Sequence, residues 1–153
     1  LGPGKAIDTD KFFVICANVI GGCMGSYGPS TIDKNTNAQI STNFPVITIN
    51  DMVNAQFNLL EHFKIEKLFA VIGGSMGGMQ VLQFVSNFPD KAQIAVPIAC
   101  TSSHSAQNIA FNEIGRQAIM ADANWKAGKY NEDKTNPDKG LSVARMAAHI
   151  TYL

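Results

Sequence analysis

The sequence predicts an α/β protein built on a parallel sheet, and three observations carry that prediction. Apolar runs and stretches of helical period alternate in the order strand, helix, strand, helix, strand. The runs "FFVICANVI", "KLFAVIGG" and "QIAVPIAC" have no polar alternation, the pattern of strands covered on both faces by helices. The second run ends in "GGSMGG" (73–78), a glycine-rich corner around one serine, directly before a helical pattern. In open α/β sheets that corner lies at the strand ends where ligands bind.

The elements follow in order. Residues 12–20 read as the first strand, and 21–45 as a long polar, glycine-containing loop of the kind that carries function. Asn50 or Asp51 can cap the next helix by accepting from the free amides of its first turn. Met52, Val53, Gln56, Leu59, Leu60 and Phe63 then keep a 3.6-residue period, which predicts an amphipathic helix over 51–63. Residues 67–74 are the second strand and 76–88 the helix after it, stopped by Pro89. Residues 93–100 are the third strand. Helices are expected over 104–121 and 141–152, separated by the polar stretch "DANWKAGKYNEDKTNPDKG". The expected division is 1–121 as the central part of the core, 122–140 as linker and 141–153 as a further helix.

The 153 residues suit one domain with a real core, so disulfide staples are not needed. Twelve basic residues balance twelve acidic ones, and no basic stripe appears, which argues against a nucleic-acid or membrane-surface partner. The apolar runs fall well short of the ~20 residues that span a bilayer. Leu1–Gly4 is followed by "KAIDTDK", with no apolar region of a secretory leader. A cytoplasmic location is expected. Cys16, Cys23 and Cys100 read as buried reduced thiols, and no His/Cys spacing suggests a metal site.

The serine corner carries the chemistry. Gly73-Gly74-Ser75-Met76-Gly77 is G-x-S-x-G between a strand and a helix, the nucleophile-elbow pattern of α/β hydrolases. So sharp a turn holds the serine at positive φ, costing about 1–3 kcal/mol for a residue other than glycine. Small residues two before and two after let strand and helix close up. Ser75 Oγ then stands clear at the sheet edge. The Met76 amide, at the helix start, faces the place where an oxyanion would form. A phosphate cradle is the competing reading of such a turn. It fits less well: the pattern is not G-x-G-x-x-G, and no G-K-[ST] follows.

Five blocks extend the pattern: "GPGKAIDTDKFFVICANVIGGCMGSYGP", "FPVITINDMV", "LFAVIGGSMGGMQVLQF", "HSAQNIAFNEIGRQAIMAD" and "GLSVARMAAHITYL". Together they closely resemble the homoserine O-acyltransferase family, in its acetyltransferase branch, over essentially the whole chain. The breaks fall at about 33–43 and 123–138. The resemblance implies a partial α/β-hydrolase fold in which 141–153 begins a helical lid. It also implies a ping-pong acyl transfer in methionine biosynthesis. Ser75 would take the acetyl group of acetyl-CoA, and the γ-hydroxyl of L-homoserine would then remove it. Ser75 matches the family nucleophile, and the Met76 amide one oxyanion donor. Arg145 matches the arginine that binds the amino-acid carboxylate, and Tyr152 a tyrosine of the same pocket. No permanently bound cofactor is implied, and a homodimer built through the lid is.

Residue chemistry supports part of this. A guanidinium is the natural partner of a carboxylate. Arg145 lies in an otherwise apolar helix, where an unpaired charge is costly. Arg145, His149 and Tyr152 share a helical face by spacing. A structural arginine between helices fits the same spacing.

An activated serine needs a base and the base an orienting acid, in chain order Ser, Asp or Glu, His. His62 precedes Ser75, and His104 reads as a local structural contact. His149 follows Asp122, Asp133 and Asp138, but on the lid helix. The expectation is therefore a fragment of a larger domain, with the second oxyanion donor before Leu1 and the triad acid and histidine after Leu153. Alternatives are a succinyl donor, a serine acceptor, an esterase or thioesterase of the same fold, and a non-catalytic chain.

Overall fold

The computed structural model describes residues 1–130 and 135–151. Its elements are β1 (Ile32–Asp33), β2 (Ala38–Gln39), α1 (Ile49–His62), β3 (Leu68–Gly74), α2 (Met76–Asn87), β4 (Ala92–Ile98), α3 (Ala106–Met120) and α4 (Asp138–Ile150). Single 3-10 turns occur at Ser41–Asn43 and Lys126–Gly128. β3 and β4 pair in parallel from Leu68 opposite Ala92 to Gly74 opposite Ile98, and α2 is the crossover between them. β1 and β2 form a small antiparallel hairpin inside the long loop.

α1 begins two residues earlier than its apolar period suggests, because Thr48 is the cap. Thr48 Oγ1 accepts from the Asp51 amide, and Asp51 Oδ2 accepts from the Thr48 amide at 2.8 Å. This closes a reciprocal capping box in which Asp51 is the third helical residue, not the cap. The helix ends through Lys64, at φ 56°: the Ile65 amide donates to Leu60 O and the Lys64 amide to Glu61 O. That is a Schellman closure with lysine where glycine is usual. Ile65 then returns to pack beside Leu60 in the core.

The core lies between α1, α2 and the sheet. Val53 and Leu60 of α1 meet Phe84 of α2, and Leu68, Val71, Phe88 and Ala92 pack around them. The Phe57 and Phe88 rings stack at 4.0 Å. Of the apolar face that the period predicts for α1, Val53 and Leu60 are buried against α2, whose own apolar face covers the Val71 side of the ladder, while Phe63 is 47% exposed.

Two expectations need correction. No strand forms over 12–20; the backbone there joins no ladder, and Phe13 is 76% exposed. Its side chains still dock, Phe12 on Phe69 with ring centres 4.9 Å apart and Ile15 against the core. An apolar run specifies burial of side chains, whereas a strand also requires a neighbour to accept its backbone hydrogen bonds. Nor do the described residues cover the strands on both faces. Ile72, Ile94 and Ile98, which share one side of the ladder by alternation, are 48%, 44% and 51% exposed. Helices α3 and α4 pack on one another and not over that side.

The α3–α4 contact is built from small residues. A methyl group on Gly140 would lie 2.4 Å from Ala118 O, so the backbone of α4 rests directly on that of α3. One turn on, Ala144 Cβ is 3.7 Å from where a Gly115 side chain would start. No helix among the described residues is long and apolar enough to cross a membrane.

Candidate active site

Ser75 sits at the junction of β3 and α2 with φ 55° and ψ −120°, inside the positive-φ region that side chains avoid. Several close approaches enforce that conformation. A Cβ on Gly73 would fall 2.3 Å from the Gly77 backbone, so the strand end and the first turn of the helix touch directly. A Cβ on Gly78 would fall 2.7 Å from Cys100 Sγ. The Ser75 amide donates to Ile98 O at 2.9 Å, which ties the corner to β4. Gly77 itself differs from expectation: a methyl group there would meet nothing within 4 Å beyond its chain neighbours and the backbone of its own helix, so its backbone, not its missing side chain, is what Gly73 requires.

Ser75 is exposed, and its side chain caps nothing. Met76 is the first residue of α2, so its amide has no acceptor within the helix and lies at the positive end of the helix dipole. A nucleophilic oxygen beside a free amide is the pair an acyl-transfer site needs. A buried polar link that the sequence reading passed over stands one turn below. Gln80, 6% exposed, accepts from Gln56 Nε2 at 2.5 Å and donates to Met76 O at 3.4 Å. It fastens α1 to the first turn of α2. Its signal was a glutamine on the apolar face of a helix, which needs a partner.

The other predicted residues lie apart from the corner. Arg145 is on α4, exposed, and makes no ion pair among the described residues, so water carries the cost of its charge. No hydrogen bond joins it to Ser75. Tyr152 and Asp133 lie outside the described residues. His62 closes α1 and touches the Phe63 ring. His104 precedes α3, 3.5 Å from Asn108 Nδ2, and His149 is exposed in the last turn of α4. None of the three histidines hydrogen-bonds to Ser75. Cys100 is half-buried against Gly78, while Cys16 and Cys23 are exposed, contrary to the expectation of buried thiols. They lie on segments that join no ladder.

Asp122 has a role that its position did not announce. Its carboxylate accepts from the Asn124 amide and from the Gly140 amide, each at 2.9 Å. Those bonds, Asn124 first, hold its carboxyl below the usual range. α4 starts at Pro137 without a cap of its own, and Asp122 supplies one from across the hairpin.

Comparison with known proteins agrees with this geometry. The model of the alpha/beta hydrolase fold matches residues 4–153. The chain is similar to the homoserine O-acetyltransferase of Pelagibacter ubique (strain HTCC1062), 78% identical over all 153 residues and spanning 41% of that protein. It is 60% identical to that of Mesorhizobium japonicum, spanning 39% of it. The chain therefore covers about two fifths of the length of the curated relatives it matches. Among solved structures, the homoserine O-acetyltransferase from Bacillus anthracis superposes with a TM-score of 0.87 at 31% identity, over 98% of this chain and 42% of that one. Esterase E22 superposes with 0.84 at 37% identity, over 96% and 41%.

Proposed function

The chain belongs to the alpha/beta hydrolase fold family, and on that premise we propose that it is the nucleophile-bearing part of a homoserine O-acetyltransferase. The observation that carries the reading is the exposed Ser75 at φ 55°, held beside the Met76 amide, which has no acceptor within its helix. The 78% identity to a homoserine O-acetyltransferase supports the choice of substrate.

In this reading Ser75 Oγ attacks the thioester carbonyl of acetyl-CoA and gives up its proton to a base. The Met76 amide donates to the oxyanion of the tetrahedral adduct. The C–S bond breaks, the thiolate of CoA leaves and is protonated, and an acetyl-serine remains. The γ-hydroxyl of L-homoserine then loses its proton to the same base and attacks the ester, releasing O-acetylhomoserine and Ser75. Arg145 binds the carboxylate of the amino acid, and Tyr152 lines the same pocket. The base and its orienting acid come from the rest of the gene product. The full protein is a cytoplasmic homodimer serving methionine biosynthesis and holds no permanent cofactor.

The test uses the full-length gene product with acetyl-CoA and no acceptor, followed by mass spectrometry of the peptide containing Ser75. The expected result is an acetyl adduct that homoserine removes and that Ser75→Ala never forms. No adduct, with Ser75→Ala as active as the parent, overturns the reading. The likeness to esterase E22 favours a second reading, in which water takes the acyl group. Product analysis with homoserine present separates them: a hydrolase yields acetate whether or not the amino acid is added.

A further inference from the structure

The placing of Arg145 begins at the start of its helix. α4 has Pro137 at its cap position, with no side chain to accept from the first-turn amides. The Asp122 carboxylate does this instead, with Oδ2 at 2.9 Å from the Gly140 amide, across a gap of eighteen residues. Its other oxygen accepts from Asn124, whose own side-chain amide donates to Asn136 O at 3.1 Å. The turn after α3 and Asn136, two residues before α4, are thereby tied together.

The same point on α4 also fixes its rotation. Gly140 rests on the Ala118 and Ile119 backbone with no room for a methyl group, and Ala144 sits against Gly115 one turn later. With Gly140 and Ala144 facing α3, the direction in which Arg145 leaves the helix is set. Asp122 governs where the helix starts along that contact, and Gly140 governs how it is turned.

The geometry points to Asp122 as a positioning residue for the acceptor subsite: by capping α4 through Gly140 it presents Arg145 to the amino-acid carboxylate. The inference rests on the reading of Arg145 given above. It assigns Asp122 no contact with either substrate, and the Ser75 corner lies on other elements. Its consequence is selective. Loss of the cap weakens acceptor binding and leaves the first half-reaction, acyl transfer to Ser75, as it was.

The experiment compares the full-length gene product with its Asp122→Ala and Asp122→Asn variants. It measures the pre-steady-state burst of thiol from acetyl-CoA alone, the KM for homoserine, and thermal unfolding. Asp122→Ala is expected to raise that KM about tenfold with an unchanged burst. Asp122→Asn, which keeps one accepting oxygen, is expected to raise it about threefold. Either folded variant at the parental KM overturns the inference, as does a burst that falls in step with acceptor affinity. Should the alanine variant not fold, the asparagine variant decides by the same criteria. A parent protein that forms no acetyl-serine overturns the proposed function itself, and that result is read before any variant is made.

Discussion

At position 73 one methyl group decides whether the corner can exist. Its Cβ would lie 2.3 Å from Gly77 backbone atoms, and backbone cannot swing aside as a flexible side chain can. Gly73→Ala is expected to destabilise the full-length protein by about 1–3 kcal/mol. On the proposed reading of Ser75 it is also expected to slow acylation by about 100-fold, since a shift near 1 Å would misplace the nucleophile. Gly77→Ala is the control, for the added methyl meets nothing within 4 Å beyond its chain neighbours and the backbone of its own helix. It should acylate within about twofold of the parent, as alanine suits a helical first turn. Denaturant midpoints and burst kinetics of the two variants check both statements, and equal damage from both would contradict them. The corner was legible because G-x-S-x-G between two periodic patterns leaves few other conformations. That Gly73 and Gly77 play unequal parts was not, because a pattern names positions without saying whose side chain would collide.

Among the elements, α1 offers a test in acid. The Thr48 hydroxyl, and then its amide, hold the Asp51 carboxyl below its ordinary value of 3.8. A carboxyl lowered in the folded state adds stability that is full above the unfolded value and disappears as the pH falls through the folded one. Asp51→Asn should therefore be less stable than the parent near about pH 7, and the gap should narrow below about pH 3.8. Urea midpoints across that range measure it; a gap that stays constant would show that the charge plays no part. The pair was present in the sequence as Thr48-x-x-Asp51, the spacing of a capping box. The cap expected at Asn50 or Asp51 is instead Thr48, with Asp51 as its reciprocal partner. Asp122 had no comparable local signal, since the amide it caps lies eighteen residues away and only the folded hairpin joins them. The 12–20 segment failed differently: its apolar side chains do find partners in Phe69 and the core, but its backbone joins no ladder.

The whole molecule exposes 10952 Å², where a compact chain of 16.4 kDa would show about 7,500 Å². The excess has an address. It includes the Ile72, Ile94 and Ile98 side of the ladder and the outer faces of the α3–α4 hairpin, where Met146 is 58% and Ile150 63% exposed. Patches of this kind bind something in a stable protein. Expressed alone, the 153 residues should self-associate and bind a dye such as ANS, as light scattering and fluorescence would record. A monomer that melts sharply and leaves the dye dark would contradict this. Against that open periphery, the link from the Ser75 amide to Ile98 O stands out, with Ala99 just beyond it also at positive φ, 47°. The ends of β3 and β4 are bent together and each props the other. The energy of bending is then settled once, as the polypeptide folds, so a ligand arriving at the corner meets a hydroxyl already aimed and need not spend any of its own affinity on aiming it.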